Sequence, residues 1–204
     1  MKLEIMVSSF LSVVLIGGFA VASPEANQLQ PAQTVLAQAS EAKKSVWKSF
    51  LSQTGGFTIL MPGDPLASKQ TQNTQMGAID TQMFVVERQQ DSVAYMVAYS
   101  DLPPNLVQQV SKGEANVEQL FRGVRDGFVE SIKGKILDER QITLAGYPGR
   151  EIWLELPRDR KARNRIFLVN QRLYQVVVVV GKDKEKYLVK SVEGYLNSFK
   201  LLSR

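Results

Sequence analysis

The strongest chemical signal in this 204-residue chain is a basic run that precedes a predicted strand. Residues 158–165 are Arg-Asp-Arg-Lys-Ala-Arg-Asn-Arg, with five cations against one anion. Such a run attracts anionic lipid headgroups, at about 1 kcal/mol for each charge near the surface, or an acidic protein patch. We therefore predict partner contacts at Arg158, Arg160, Lys161, Arg163 and Arg165. A solvated hairpin tip that discourages edge pairing is the structural alternative.

Residue types suited to catalysis are scarce. The chain contains no cysteine and no histidine, which excludes disulfides, thiolate metal sites, cysteine nucleophiles and histidine-based triads. Glu151 and Glu155 lie four apart in a predicted strand, about 13 Å from each other, which is too far for an acid/base pair. Asp64 lies in a Pro-Gly-Asp-Pro cluster, where a turn explains it better than a cation site. We predict no catalytic residue, no metal site and no cofactor.

The segment Gly146-Tyr147-Pro148-Gly149 is the chain's other candidate for ligand chemistry. It lacks the spacing of a phosphate-binding loop and does not lie between a strand and a helix. We therefore interpret it as a tight turn that aims Arg150.

Strands must position most of these residues. The five valines of 176–180 leave no polar face, so both sides of that strand need apolar cover and the domain must be layered. Short turns between consecutive strands imply antiparallel pairing. Strands are predicted over 57–61, 78–87, 93–99, 136–144, 151–156, 166–169 and 173–180, with an edge strand or hairpin arm at 69–75.

Two amphipathic helices are predicted to cover the sheet. The first spans 116–133, with Asn116 as N-cap and Gly134 as the residue that ends it. The second spans 184–197, with Asp183 as N-cap. The predicted fold class is α+β, a mainly antiparallel sheet flanked by helices in an α/β/α sandwich.

The amino-terminal region predicts export. Residues 1–22 combine Lys2, an apolar stretch and the small-x-small site Ala20-Val21-Ala22, which predicts a signal peptide cleaved after Ala22. An uncleaved anchor is the alternative, because 18 helical residues span about 27 Å. Residues 23–45, rich in Gln, Ala, Pro and Ser, are predicted to be a flexible linker. Residues 46–204 are long enough for a single domain.

Four spaced motifs resemble the PsbP/DcrB-like superfamily over about residues 50–202. They are Phe57-Thr58-Ile59-Leu60-Met61-Pro62, Gly146-Tyr147-Pro148-Gly149-Arg150-Glu151, Arg172-Leu173-Tyr174 and Tyr195-Leu196-Asn197-Ser198-Phe199-Lys200-Leu201. The resemblance implies an exported, non-enzymatic domain, in photosynthetic lineages an accessory or assembly factor of photosystem II in the thylakoid lumen. The chain lacks the family's lipidated cysteine and metal-contacting histidines, which indicates an exported relative rather than PsbP itself.

The functional expectation is a monomeric, non-catalytic interaction module, soluble or peripherally attached, in a periplasm or thylakoid lumen. Its predicted partner is a membrane-associated protein complex or an anionic membrane surface. The net charge of +5 does not point to nucleic acid, because no aromatic residues interleave the cations and exported proteins rarely meet it. The alternative is a periplasmic carrier of a small ligand between sheet and helix, suggested by Gly123 and Gly127, which indicate close backbone approach.

Overall fold

A computed structural model describes residues 46–74, 77–111 and 117–202 of the chain. The predicted signal peptide (1–22), linker (23–45) and N-cap Asn116 lie outside the described residues and stay predictions. Among the helices of the described ranges, none has the length and apolar character needed to cross a bilayer.

The described residues form ten strands and three α-helices. The strands are β1 (Lys48–Ser52), β2 (Phe57–Met61), β3 (Leu66–Thr74), β4 (Gly77–Arg88), β5 (Val93–Asp101), β6 (Lys135–Leu144), β7 (Tyr147–Leu156), β8 (Arg160–Val169), β9 (Arg172–Gly181) and β10 (Lys200–Leu201). The helices are α1 (Pro104–Ser111), α2 (Val117–Ser131) and α3 (Glu185–Asn197).

Seven strands form one antiparallel sheet in the order β3-β4-β5-β9-β8-β7-β6. Helices α1 and α2 cover one face, and α3 covers the other together with a small sheet of order β1-β2-β10. The predicted α+β sandwich is confirmed.

The valine strand β9 lies at the centre of the seven-stranded sheet, as its lack of a polar face requires. Val177 belongs to the core on the α2 side, while Val176 and Val178 belong to the core on the α3 side. All three are buried, because each face has its own apolar layer. The polar strand β3 lies at the edge, as predicted.

The glycine-containing segment 146–149 is mostly strand rather than turn. The β6–β7 turn is formed by Ala145 and Gly146, both at positive φ, and Gly149 lies inside β7. A Cβ at Gly149 would lie 2.6 Å from the carbonyl oxygen of Ile166 on β8, so this position excludes a side chain. The predicted turn was therefore placed too late along the chain.

The basic run is also mostly strand, which corrects the prediction of a loop before a short strand at 166–169. Strand β8 begins at Arg160, and the loop is confined to residues 157–159. The reason is an alternation within the run: Ala162 and Asn164 are buried on the α2 face, while Lys161, Arg163 and Arg165 lie on the α3 face. The buried alternate residues therefore make this part of the chain a strand, although its high charge suggested an exposed loop.

Both predicted helices exist, but their ends differ from the predictions. After α2 the left-handed residue is Lys133 (φ 52°), and the amide of Gly134 donates to the Val129 carbonyl at 2.9 Å. At the start of α3 the N-cap position is Lys184, which makes no side-chain capping bond, so Asp183 is not the cap. Strand β2 of the small sheet has the predicted bounds, whereas helix α1 and strands β1 and β10 are elements that the prediction lacked.

Candidate interaction surface

The five cations predicted as partner contacts divide between two environments. Arg158 lies exposed in the β7–β8 turn at φ 61°, and half-buried Arg160 begins β8 and donates to the Pro157 carbonyl at 3.2 Å. Lys161, Arg163 and Arg165 instead lie in β8 on the face that α3 covers. The run is therefore not one exposed basic loop.

Arg163 and Arg165 converge on Glu151, a carboxylate of β7 that is 0% exposed. Arg163 donates from Nη2 at 2.5 Å and Arg165 from Nε at 2.9 Å, both to Oε1. Arg140 of β6 donates to Oε2 from Nη2 at 2.5 Å and from Nε at 3.0 Å. We call these four residues the Glu151 cluster; it links three adjacent strands through one buried carboxylate.

The cluster keeps Glu151 ionised. Burial alone would raise the pKa of this carboxyl, but the hydrogen bonds from Arg163, Arg140 and Arg165 outweigh burial and hold its pKa below the ordinary value. A buried carboxylate that accepts bonds from three guanidinium groups is compensated on both oxygens. The geometry is that of a structural ion cluster rather than a proton donor.

The same cations hold α3 against the sheet. Lys161 donates to Glu185 of the first turn at 2.6 Å, and Arg163 pairs with Glu193. Arg165 donates to the Leu196 carbonyl at 2.9 Å, where cations favour the negative end of the helix dipole. Three of the five predicted contact residues therefore have helix-docking partners within the protein.

Arg150 likewise belongs to the core and not to a ligand site. It is buried on the α2 side of β7, where it pairs with Glu118 of α2. Its guanidinium lies 5.2 Å from the ring centre of Phe121. Arg150 and the Glu151 cluster thus attach helices to opposite faces of the same strand.

A cavity of about 160 Å³ lies between α3 and the sheet. Trp153 of β7, Val178 and Val180 of β9, and Val192 of α3 line it. At its edge are Leu137 of β6 and Val189 of α3, which are 49% and 52% exposed. We call this the α3 cavity; its lining is mainly apolar, with ion pairs of α3 at the margin.

Exposed lysines lie next to the residues at the edge of this cavity. Lys186 and Lys190 lie one turn apart on the solvent side of Val189 along α3, and Lys135 lies on the same sheet face at the start of β6. Within the described part of the chain these three lysines form no ion pair, whereas Glu185 and Glu193 already pair with Lys161 and Arg163. The rim therefore carries uncompensated positive charge.

Two further concave regions lie at the ends of the sheet. One, of about 530 Å³, contains Arg158 and Arg160 beside Arg88, and also the carboxylates of Glu87 and Asp183. The other, of about 1100 Å³, lies at the opposite end among the β1–β2, β6–β7 and β8–β9 turns. Within the ranges described, no group of three or more acidic side chains is placed to hold a metal ion.

The arrangement is similar to solved structures. The solution structure of cyanobacterial PsbP from Synechocystis sp. PCC 6803 matches with a TM-score of 0.54 at 7% identity, over 81% of this chain and 98% of that one. The chain has a PsbP-like fold. A Pseudomonas aeruginosa protein of unknown function, a putative regulator, matches at a TM-score of 0.44 and 9% identity, over 78% and 97% of the two chains. No family model and no curated protein matches. The resemblance predicted from the sequence motifs is thus confirmed at the level of the PsbP-like fold.

The Glu151 cluster and the α3 cavity are the features that the sequence prediction missed. The alternation of Arg163 and Arg165 with Asn164 and Ile166 was a signal that both cations share one sheet face. Their common carboxylate lies 12 and 14 residues away, and no short-range pattern shows such a contact.

Proposed function

We propose that this chain is a non-catalytic, exported interaction module that acts as a monomer. It serves as an accessory or assembly factor of a membrane-associated complex such as photosystem II, in a periplasm or thylakoid lumen. The PsbP-like fold and the signal-peptide pattern of residues 1–22 support this proposal.

The surface around α3 is the observation that carries the proposal. The cations of β8 that face α3 are bound to carboxylates of the chain, so little reactive chemistry is left there. Leu137 and Val189 are exposed beside uncompensated lysines, and exposed apolar side chains with a polar rim are typical of protein interfaces.

The basic turn supplies a second contact in this proposal. Arg158 and Arg160 remain the predicted partner-binding cations, because neither has an ion pair within the described ranges. Lys161, Arg163 and Arg165 contribute indirectly, since they dock α3 and thereby shape the surface. Contacts of this kind guide association with an acidic partner more than they add to affinity.

Co-isolation from the native membrane fraction tests the proposal. We expect a tagged chain to be recovered with a membrane-associated complex, and Arg158→Glu combined with Arg160→Glu to reduce recovery at least fivefold. Lys133→Glu combined with Lys200→Glu, exposed positions after α2 and on β10 that form no ion pair within the described residues, is the matched control and should leave recovery unchanged. A chain recovered without a partner complex would refute the proposal, and equal loss in both double variants would remove the basic turn from it.

A carrier of a small ligand is the second candidate, and the α3 cavity is the observation that favours it. The cavity borders α3, whereas Gly123 and Gly127 lie in α2 on the other face of the sheet. At about 160 Å³ it holds a group the size of one aromatic ring. Native mass spectrometry of the exported protein would show a bound mass if the carrier role is correct.

A further inference from the structure

The α3 cavity has the size of a single ring. An apolar cavity of about 150 Å³ in another protein binds benzene, which is close to the 160 Å³ found here. Sites that enclose a whole drug-sized ligand usually measure about 300–1,000 Å³. A complete amphiphile or cofactor therefore does not fit, whereas one large apolar side chain does.

The lining suits an aromatic or branched side chain in particular. Trp153 offers an aromatic surface, and the valines of β9 and α3 provide the remaining contacts. The Trp153 ring is held in place by the guanidinium groups of Arg140 and Arg163, 4.8 Å and 5.2 Å from its centre. A ring supported in this way forms a rigid wall for an incoming group.

We infer that the α3 cavity receives a phenylalanine-sized side chain from an acidic segment of a protein partner. Lys186 and Lys190 flank Val189 along α3, and Lys135 lies two residues before Leu137, all without ion pairs in the described residues, so carboxylates that flank the inserted side chain meet complementary charge nearby. A buried apolar anchor inside a charged rim is the usual arrangement of the residues that dominate binding energy.

A membrane surface fits this geometry less well than a protein. Insertion into a bilayer interface needs apolar side chains that protrude, in an amphipathic face that is buried about 5–10 Å into the headgroup region. Here Leu137 and Val189 border a recess, and the other apolar lining residues lie beneath them. A recess is filled by a partner's side chain.

This inference rests on the proposed function and specifies the partner's chemistry. Its test uses the fluorescence of Trp153, which is isolated by Trp47→Phe because the chain has two tryptophans. The probe is an acidic twelve-residue peptide with one central phenylalanine. The controls are the same peptide with serine in place of phenylalanine, a basic peptide with the same phenylalanine, phenylacetate, and vesicles of anionic lipid.

We expect saturable binding of the acidic phenylalanine peptide with a change in Trp153 emission. The serine peptide should bind at least tenfold more weakly, because a buried phenylalanine side chain contributes most of the anchoring. Val189→Phe, which places a ring at the mouth, should weaken binding at least tenfold, whereas Val46→Phe, the same change at another exposed valine, should not. Lys186→Glu combined with Lys190→Glu should weaken peptide binding at least fivefold, with Lys200→Glu as the control. This double variant tests the site independently, even if Val189→Phe fails to fold.

The inference is overturned if the serine or basic peptide binds as well as the acidic phenylalanine peptide. It is equally overturned if phenylacetate binds as tightly as the acidic phenylalanine peptide, or if anionic vesicles displace that peptide, since the site would then hold a small ligand or a lipid surface. Its failure is separate from failure of the proposed function. A complex that still co-isolates with Val189→Phe refutes only the pocket, and peptide binding without any co-isolated complex refutes only the proposed function.

Discussion

Replacing Glu151 by glutamine should destabilise the folded domain far more than the same change at Glu155. Glu151 is fully buried and accepts bonds from three arginines, of which Arg163 and Arg165 are only 16% and 13% exposed. Breaking a buried ion pair costs about 3–5 kcal/mol, because the remaining charges stay buried without compensation. Arg163 and Arg165 keep second partners on α3, so we expect about 3 kcal/mol.

Glu155→Gln is the matched control. Glu155 lies on the same face of β7, but its pair with Lys182 (3.1 Å) is exposed, and such pairs contribute about 0–1 kcal/mol. A domain of this size loses about 2–4 °C of Tm for each kcal/mol, which gives a decrease of about 6–12 °C for Glu151→Gln. Urea unfolding followed by circular dichroism measures both variants.

The pH dependence of this difference has a defined sign. The pKa of Glu151 is lowered in the folded chain, so its stabilising contribution is complete above the ordinary glutamate pKa of about 4.3 and is lost as pH falls through the folded value. The difference in stability between the wild type and Glu151→Gln should therefore shrink as pH falls below about 4.3 and disappear below the folded-state pKa of Glu151. Equal destabilisation by Glu151→Gln and Glu155→Gln at pH 7, within about 0.5 kcal/mol, would refute the cluster as a source of stability.

Three further outcomes follow from the fold. Gly149→Ala should lower the free energy of unfolding by about 1–3 kcal/mol, because the added Cβ would clash with the β8 backbone. Gly194→Ala should raise it by up to about 1 kcal/mol, because nothing lies within 4 Å of the Cβ added there. Equal effects of the two changes in urea unfolding would contradict this prediction. Burial raises the pKa of Tyr95 to about 12, so ultraviolet titration should show it ionising near that pH, and ionisation near pH 10 would be inconsistent with its packing. Arg165→Lys should speed amide exchange at the end of α3, whereas Arg158→Lys should not; matched rates would exclude Arg165 as the anchor of that helix.

The sequence predicts the large sheet well, because its signals are local. A strand without a polar face must be central, which is where β9 lies, and the polar strand β3 lies at the edge. The predicted strands 166–169 and 173–180 leave only a short turn between them, and Asn170 of that turn adopts a positive φ, as tight hairpin turns commonly need. Each of these inferences needs only neighbours along the chain.

The basic run was predicted to be a loop because its many charges drew attention away from the two-residue alternation that is typical of a strand. Arg163 and Arg165 point to one face and Asn164 to the other, but a count of charges ignores this difference and treats residues 158–165 as one exposed patch. Asn164 is buried and donates to Gln175 at 3.0 Å, a contact that only the β8–β9 register creates. Long-range pairing therefore decided which cations remain available to a partner.

The strand pairing of the small sheet and the α3 cavity likewise could not be predicted from local sequence patterns. Strand β10 has two residues, too few for any periodicity, and it is fixed by pairing with β2 more than 140 residues earlier. The cavity exists because Leu137 of β6 and Val189 of α3, which belong to distant segments, come together with Trp153 in the lining of one recess. No pattern within either segment predicts that meeting.

Site-specific photocrosslinking in the native membrane fraction tests the central claim most directly. A photoreactive amino acid at position 189, at the mouth of the α3 cavity, should crosslink to one membrane-associated protein, and the crosslinked peptide should contain an aromatic or branched apolar residue among carboxylates. The same amino acid at position 46 is the control, because Val46 is similarly exposed but does not line the cavity. Equal crosslinking from both positions, or no partner protein from position 189, would contradict an interaction module that binds through this surface.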